Sequence, residues 1–235
     1  MVGGKAQAQP CAGGKYTVCQ SFDKLWLSGH SSDGLWRING PWPGTGNMLD
    51  PALALVAPDG SGGGSVMLSV AAHEKRGSEI QSLMSYGYGY YETELKVSSV
   101  PGVCASFFWI EAPKYGPHEW DIEFLTDDFA GAQGAVRLTI HPSNLSYKLD
   151  LPFNPSDAFH RYGFLWTPGQ IIFTVDGKAA HTVSNTELET TARGFIMMNA
   201  LTGLPNWCNG PPAVQTTSIY NWMRFTEGTS KVPVR

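Results

Sequence analysis

The chain has 235 residues, a formal net charge of −4 and no basic block, which makes nucleic acid and anionic membrane surfaces poor partners. Charged residues make up 15%, well below the typical quarter, whereas 27 Gly, 16 Pro and 12% aromatics are abundant. This composition excludes a helical bundle or a disordered chain and suits a turn-rich β-protein. No run of about 18 apolar residues is present to span a bilayer.

Residues 1–20 are expected to form an N-terminal tail, and residues 21–235 a single domain. Ala6-Gln7-Ala8 is similar to the small-residue end of a secretory signal, so secretion with an upstream apolar segment removed is expected. The cysteines at 11, 19, 104 and 208 show no CxxC metal spacing. Cys11 and Cys19 are close enough for a short disulfide loop, which agrees with secretion. Cys104 lies in an apolar run and reads as a small buried hydrophobe. The stretch from Phe22 to Leu49, with Trp26, Trp36 and Trp42, reads as loops with short edge strands, and Gly60 to Gly64 as a flexible turn.

Strands are then predicted every 8–15 residues: 65–72, 78–84, 90–97, 103–110, 118–125, 135–141, 159–166, 171–175, 178–183, 194–200 and 216–225. Pro168-Gly169 and Asp176-Gly177 are turn pairs with the chemistry that hairpins require. No 12-residue window carries a helical apolar stripe. The prediction is an all-β sandwich.

The stretch most informative about chemistry is Glu119-Trp-Asp121-Ile-Glu123-Phe124. Strand periodicity puts Glu119, Asp121 and Glu123 on one face and Trp120, Ile122 and Phe124 on the other. Three like charges on one face repel, a cost that a functional site would explain. Four residues of strand span roughly 13 Å between Cα atoms. Side-chain reach brings the two glutamate carboxyls to roughly 5–6 Å. Retaining glycosidases need about 5–5.5 Å between their carboxyls and inverting ones about 6.5–9.5 Å, so the spacing favours retention. Alone, such a strand is more often a solvated face, and a Ca²⁺ site would draw more of its ligands from loops. Among the aromatics, Trp109 and Trp207 lie beside polar residues and are the candidates for stacking on sugar rings.

Glu119-Trp-Asp121-Ile-Glu123 resembles the E-x-D-x-E signature of glycoside hydrolase family 16, and its surroundings are similar to the family's bacterial lichenase branch. Gly77-Ser-Glu79-Ile-Gln81, Tyr86-Gly-Tyr-Gly-Tyr-Tyr-Glu92, Ala105-Ser-Phe-Phe108, the run from Phe159 to Trp166, Val175-Asp-Gly-Lys178 and Ile196-Met-Met-Asn199 resemble stretches of those enzymes in the same order. The resemblance covers roughly residues 65–225. It implies a concanavalin-like β-jelly-roll of two curved antiparallel sheets with a concave cleft, acting on an internal bond of a β-1,3-1,4-glucan-like polysaccharide. It further implies Glu119 as nucleophile, Glu123 as acid/base, Asp121 as the residue that tunes them, and Glu79, Phe108 and Trp207 as sugar contacts. No cofactor is implied for catalysis.

Departures from the pattern fall in the expected subsites. Gln81 stands where the family has Arg, so no advantage for an anionic polymer is expected. Pro117, Ile110 and Leu201 replace aromatics, and Thr139 and His141 replace Asn and Tyr. His141 is either a substrate ligand or a hydrogen-bonded neighbour of the carboxyl strand. The resemblance also implies a structural Ca²⁺ site, weakened here because Asn221 replaces an Asp. Transglycosylation, depolymerisation of an exopolysaccharide and a lectin-like binding module are the alternatives; a module of that kind is expected to have lost one of the paired glutamates. A monomer is expected.

Overall fold

In a computed structural model of the chain, residues 11, 15–22, 26–27, 29–31, 33–40, 48–58, 64–113, 115–204 and 207–233 are described. The secretory-signal reading at 6–8, Trp42 and most of the 60–64 turn lie outside them. Among the described residues eighteen strands follow one another in chain order. They are β1 (Val18–Gln20), β2 (Trp26–Leu27), β3 (His30–Ser31), β4 (Trp36–Ile38), β5 (Met48–Leu49), β6 (Ala54–Pro58), β7 (Gly64–Val70), β8 (Arg76–Ser82) and β9 (Gly89–Lys96). Then follow β10 (Cys104–Glu111), β11 (Glu119–Leu125), β12 (Gly134–His141), β13 (Leu145–Leu151), β14 (His160–Thr167), β15 (Gln170–Val175), β16 (Lys178–Ser184), β17 (Gly194–Leu201) and β18 (Thr216–Glu227).

The strands form two sheets. One runs β16-β15-β14-β9-β18-β7-β6, with β1 added against β18; the other runs β13-β12-β11-β10-β17-β8-β4-β3-β2, with β5 parallel to β8. The expected two-sheet jelly-roll architecture is thus the observed one. Every predicted strand is present, Asp176-Gly177 makes the β15–β16 hairpin, and β6 and β13 are additional. The expected tail is shorter than 20 residues, because Val18–Gln20 pairs with Phe225–Met223. The Cys11–Cys19 disulfide is anchored within that pairing, since Cys19 is the middle residue of β1.

Alternation builds the interior. Trp120, Ile122 and Phe124 of β11 turn toward the other sheet and are fully or almost fully buried, as are Phe107 and Trp109 of β10. Trp109 stacks on Trp120 with ring centroids 5.5 Å apart and planes within 6°. Trp166 of the opposite sheet lies 4.8 Å from Trp109 and 5.5 Å from Trp120. This aromatic cluster fixes the carboxyl strand from beneath, so the opposite face of β11 is presented without slack.

One expectation is corrected here. Trp109 has no exposed surface, and its indole Nε1 donates to the Tyr86 carbonyl at 2.8 Å. It faces the core because Phe108, its neighbour on the strand, takes the outer face. Trp109→Ala is therefore expected to cost about 3–5 kcal/mol of stability by leaving a cavity, read as a large fall in melting temperature. Wild-type stability with weakened sugar binding alone would contradict this placement.

Candidate active site

Strand register arranges the outer face of the larger sheet in rows that run across the strands. Glu119 sits opposite Ile110 on β10 and His141 on β12. Asp121 is opposite Phe108 and Thr139, and Phe108 continues the row to Met197 and Gln81. Glu123 is opposite Ser106 and Arg137, and that row continues through Asn199 to Glu79. All three acidic residues of β11 line one cleft of about 560 Å³, together with Glu79, Phe108, His141, Asn199 and Trp207. The expected grouping of the carboxyls on one face is what the strand produces.

Each carboxyl has different company. Glu123 accepts from the Thr139 hydroxyl at 2.7 Å and from the Trp207 indole, and Arg137 adds a favourable charge. Asp121 and Glu119 share a hydrogen bond, and His141 Nε2 lies 3.4 Å from Asp121 Oδ2. Burial raises all three above the ordinary carboxyl range. The charge of Glu123 raises Asp121 further, whereas the donors around Glu123 work against its own rise. Glu119 is pushed up to about 9, by burial first and then by Asp121. The hydrogen bond between Glu119 and Asp121 requires a proton between them, so these two carboxyls do not ionise together while it holds.

The remaining expected residues separate into those that line the cleft and those that support it. Glu79 lines it; its Oε1 accepts from Asn39 at 2.7 Å and its Oε2 from Asn199 at 3.2 Å, while burial raises its carboxyl. Phe108 and Trp207 line the cleft, as expected of sugar contacts. His141 lines it as well, with its Nε2 beside Asp121. Gln81 does not line the cleft: it is 2% exposed, and its Oε1 accepts from Arg37 at 3.0 Å, Tyr115 at 2.9 Å and Asn39 at 3.3 Å. The buried Ser106 Oγ and Asn199 Oδ1 have no protein partner and lie on the cleft floor.

Two features were missed from the sequence. Tyr115 on the β10–β11 loop lines the cleft. Cys104 is not a free hydrophobe but is disulfide-bonded to Cys208, at a sequence separation of 104. That bridge ties the segment carrying Trp207 to the start of β10, beside an apolar cluster of Leu49, Leu125, Leu201 and Leu204. The only signal for it was an even cysteine count, which leaves pairing open.

The residues do not fit the Ca²⁺ role that the resemblance implied for Asn221. Its Oδ1 accepts from the Ser65 hydroxyl at 2.7 Å and its Nδ2 donates to Glu94 at 2.8 Å, so the side chain is committed to protein partners. No group of three or more His, Cys, Asp or Glu side chains is arranged as a metal site among the described residues.

A carboxyl trio on one strand face of a jelly-roll cleft defines a carbohydrate-active class of sandwich. The family pattern described as "Glycosyl hydrolases family 16" matches residues 58–223, and the chain belongs to this family. It is 36% identical over 154 residues to a β-glucanase of Bacillus subtilis, an alignment covering 63% of this chain and 62% of that protein. A Paenibacillus polymyxa β-glucanase is 36% identical over 155 residues, covering 63% of each. The chain thus spans somewhat under two thirds of the length of these curated relatives. Among solved structures, a β-1,3-1,4-glucanase (lichenase) from a mouse hindgut metagenome superposes with a TM-score of 0.72 at 25% identity, covering 89% of this chain and 98% of that one. The Bacillus licheniformis β-glucanase does so at 0.68 and 26% identity, covering 89% and 97%.

Two predictions follow from the site's electrostatics and its bridge. A carboxyl whose folded pKa exceeds its unfolded value stabilises fully below the unfolded value and loses that contribution as pH rises through the folded one. For Glu119 the window runs from the ordinary 4.5 to about 9. Stability is therefore expected to fall between pH 5 and 9, by about 1.4 kcal/mol per pH unit for each proton retained only in the folded state. Asp121→Asn should flatten this slope and raise the melting temperature at pH 9, as read by calorimetry; identical slopes would contradict the shared-proton picture. Cys208→Ser is expected to lower stability by about 4–5 kcal/mol on the chain-entropy account and to reduce turnover by freeing Trp207. Unchanged turnover would show that Trp207 is placed without the bridge.

Proposed function

We propose that the chain is a retaining endo-β-glucanase that hydrolyses internal bonds of a β-1,3-1,4-glucan-like polysaccharide by double displacement. The observation that carries this reading is the trio Glu119, Asp121 and Glu123 on one strand face, lining a cleft flanked by aromatic and hydrogen-bonding side chains. Glu119 attacks the anomeric carbon while Glu123 protonates the departing oxygen; Glu123 then takes a proton from the water that releases the sugar. The raised pKa of Glu123 suits the acid. Attack requires charge on Glu119, and Asp121, more deeply buried and hydrogen-bonded to it, is placed to keep the proton that Glu119 gives up. Once Glu119 is esterified its charge is gone, the repulsion on Glu123 relaxes, and Glu123 can act as base.

Glu79, Phe108, His141 and Trp207 are the proposed sugar contacts. The β-glucanase and lichenase names of the relatives support the polymer class. Two disulfides agree with secretion into an oxidising compartment. Among the described residues no helix is long and apolar enough to cross a membrane. A monomer needs no second chain to complete the cleft.

Glu119→Gln and Glu123→Gln are each expected to lower reducing-end release from barley β-glucan or lichenan by at least about 10³-fold while leaving the fold intact. A 2-fluoro glycosyl inhibitor should label Glu119, as mapped by mass spectrometry. Label on Glu123 would reverse the roles, and near-wild-type rates in either variant would sink the mechanism. A panel including laminarin, xyloglucan and an acidic exopolysaccharide fixes the polymer; fastest turnover on the acidic one would contradict the neutral-substrate expectation.

A further inference from the structure

Tyr115 is an aromatic residue at the cleft whose exposure, backbone and hydrogen bond all require explanation. It is 43% exposed, and it adopts φ +51°, a left-handed conformation that non-glycine residues rarely take. The loop that carries it is built firmly. Glu111 N donates to the His118 carbonyl at 2.9 Å, Gly116 N donates to the Glu111 carbonyl at 2.9 Å, and the His118 ring meets Glu111 Oε2 at 2.6 Å. Held this way, the Tyr115 ring stands edge-on to Phe195 of β17, with centroids 6.4 Å apart, and its hydroxyl donates to Gln81 Oε1 on β8. The loop leaves from β10, so the side chain crosses β17 to reach β8. Gln81 Oε1 accepts from both the Arg37 guanidinium and the Tyr115 hydroxyl, a bridging role that an arginine at 81, which has no acceptor, could not fill.

We propose that Tyr115, anchored by Gln81, is a specificity-determining wall of the cleft that stacks on a neutral pyranose ring of the bound chain, beside Phe195, which continues the Glu119 row through Ile110. The inference rests on the glucanase reading above and deepens it by naming a substrate contact. The left-handed backbone and the hydroxyl anchor hold the ring in place before substrate arrives, so less ordering remains to be done on binding. Phe108 floors the same cleft, so a sugar here would meet an aromatic surface on the floor and another at the side. Among the described residues the guanidinium nearest this wall, that of Arg37, is engaged with Asn39 and Gln81.

The test titrates gluco-oligosaccharides of increasing length, by calorimetry, into Glu119→Gln protein with Tyr115 intact, with Tyr115→Ala and with Tyr115→Phe. Steady-state kinetics on β-glucan are measured for the two Tyr115 variants without the Glu119 change. Tyr115→Ala is expected to weaken binding of the longer oligosaccharides and raise KM by about tenfold, in the range of an aromatic contact, with kcat within about twofold of wild type. Tyr115→Phe should recover most of the loss, because the ring remains and only the anchor is missing. Unchanged KM and affinity in Tyr115→Ala, while the wild type cleaves β-glucan, would overturn this inference and leave the glucanase reading standing. So would a loss in kcat and melting temperature without a change in affinity, which marks a merely structural loop. A wild type that neither binds nor cleaves any β-glucan would overturn both.

Discussion

The structure depends on the two-residue period of β11. One strand directs Trp120, Ile122 and Phe124 into an aromatic core and Glu119, Asp121 and Glu123 into a cleft, and neither set could be moved without the other. Slipping the strand by one residue would bury three carboxyls against Trp109 and Trp166 and expose three large apolar side chains. The hydrophobic half therefore enforces the position of the acidic half. The stacking of Trp109 on Trp120 thus helps to position the carboxyls although neither ring meets solvent.

Placed so, the carboxyls become useful through unequal neighbours. β12 supplies His141 opposite Glu119 and Thr139 opposite Asp121, and the Thr139 hydroxyl reaches diagonally to Glu123. Trp207 approaches Glu123 from a segment far away in sequence, held there by the Cys104–Cys208 bridge. One carboxyl is thus supplied with neutral donors while the other two are left to share a proton. An isolated strand with the same sequence would carry three equivalent charges. Division of labour is a property of the neighbouring strands and not of the motif.

How far the sequence was legible follows from the range of each interaction. Alternation and turn chemistry are local, and they were enough for every strand from 64 onward except Leu145–Leu151 and for the shared face of the three carboxyls. Alternation could also have placed Trp109 in the core, because Phe108 and Trp109 are adjacent on a strand and cannot both face the cleft. The strand Leu145–Leu151 was missed although its burial alternates at an edge, and Ala54–Pro58 was hidden by its Pro and short length. Cys104 pairs across 104 residues, a relation no local pattern contains. Gln81 has the right parity for the cleft yet lies buried behind Tyr115, because a loop from another strand folds over it.

The substitutions that set this cleft apart share one direction. Ile110, Leu201 and Pro117 stand where aromatics were expected, and Gln81 stands where a cation was expected. The cleft keeps its acids and loses rings and charge at its borders. Such losses weaken binding uniformly and leave the chemical step alone, because interactions that do not change between ground and transition state alter KM more than kcat. An aromatic restored by a different loop can then recover binding without disturbing the trio. On the proposed reading Tyr115 does this from the β10–β11 loop, and Gln81 provides the acceptor that Arg37 and Tyr115 share. The neutral, buried residue at 81 is thereby less a missing contact to substrate than the anchor of this wall.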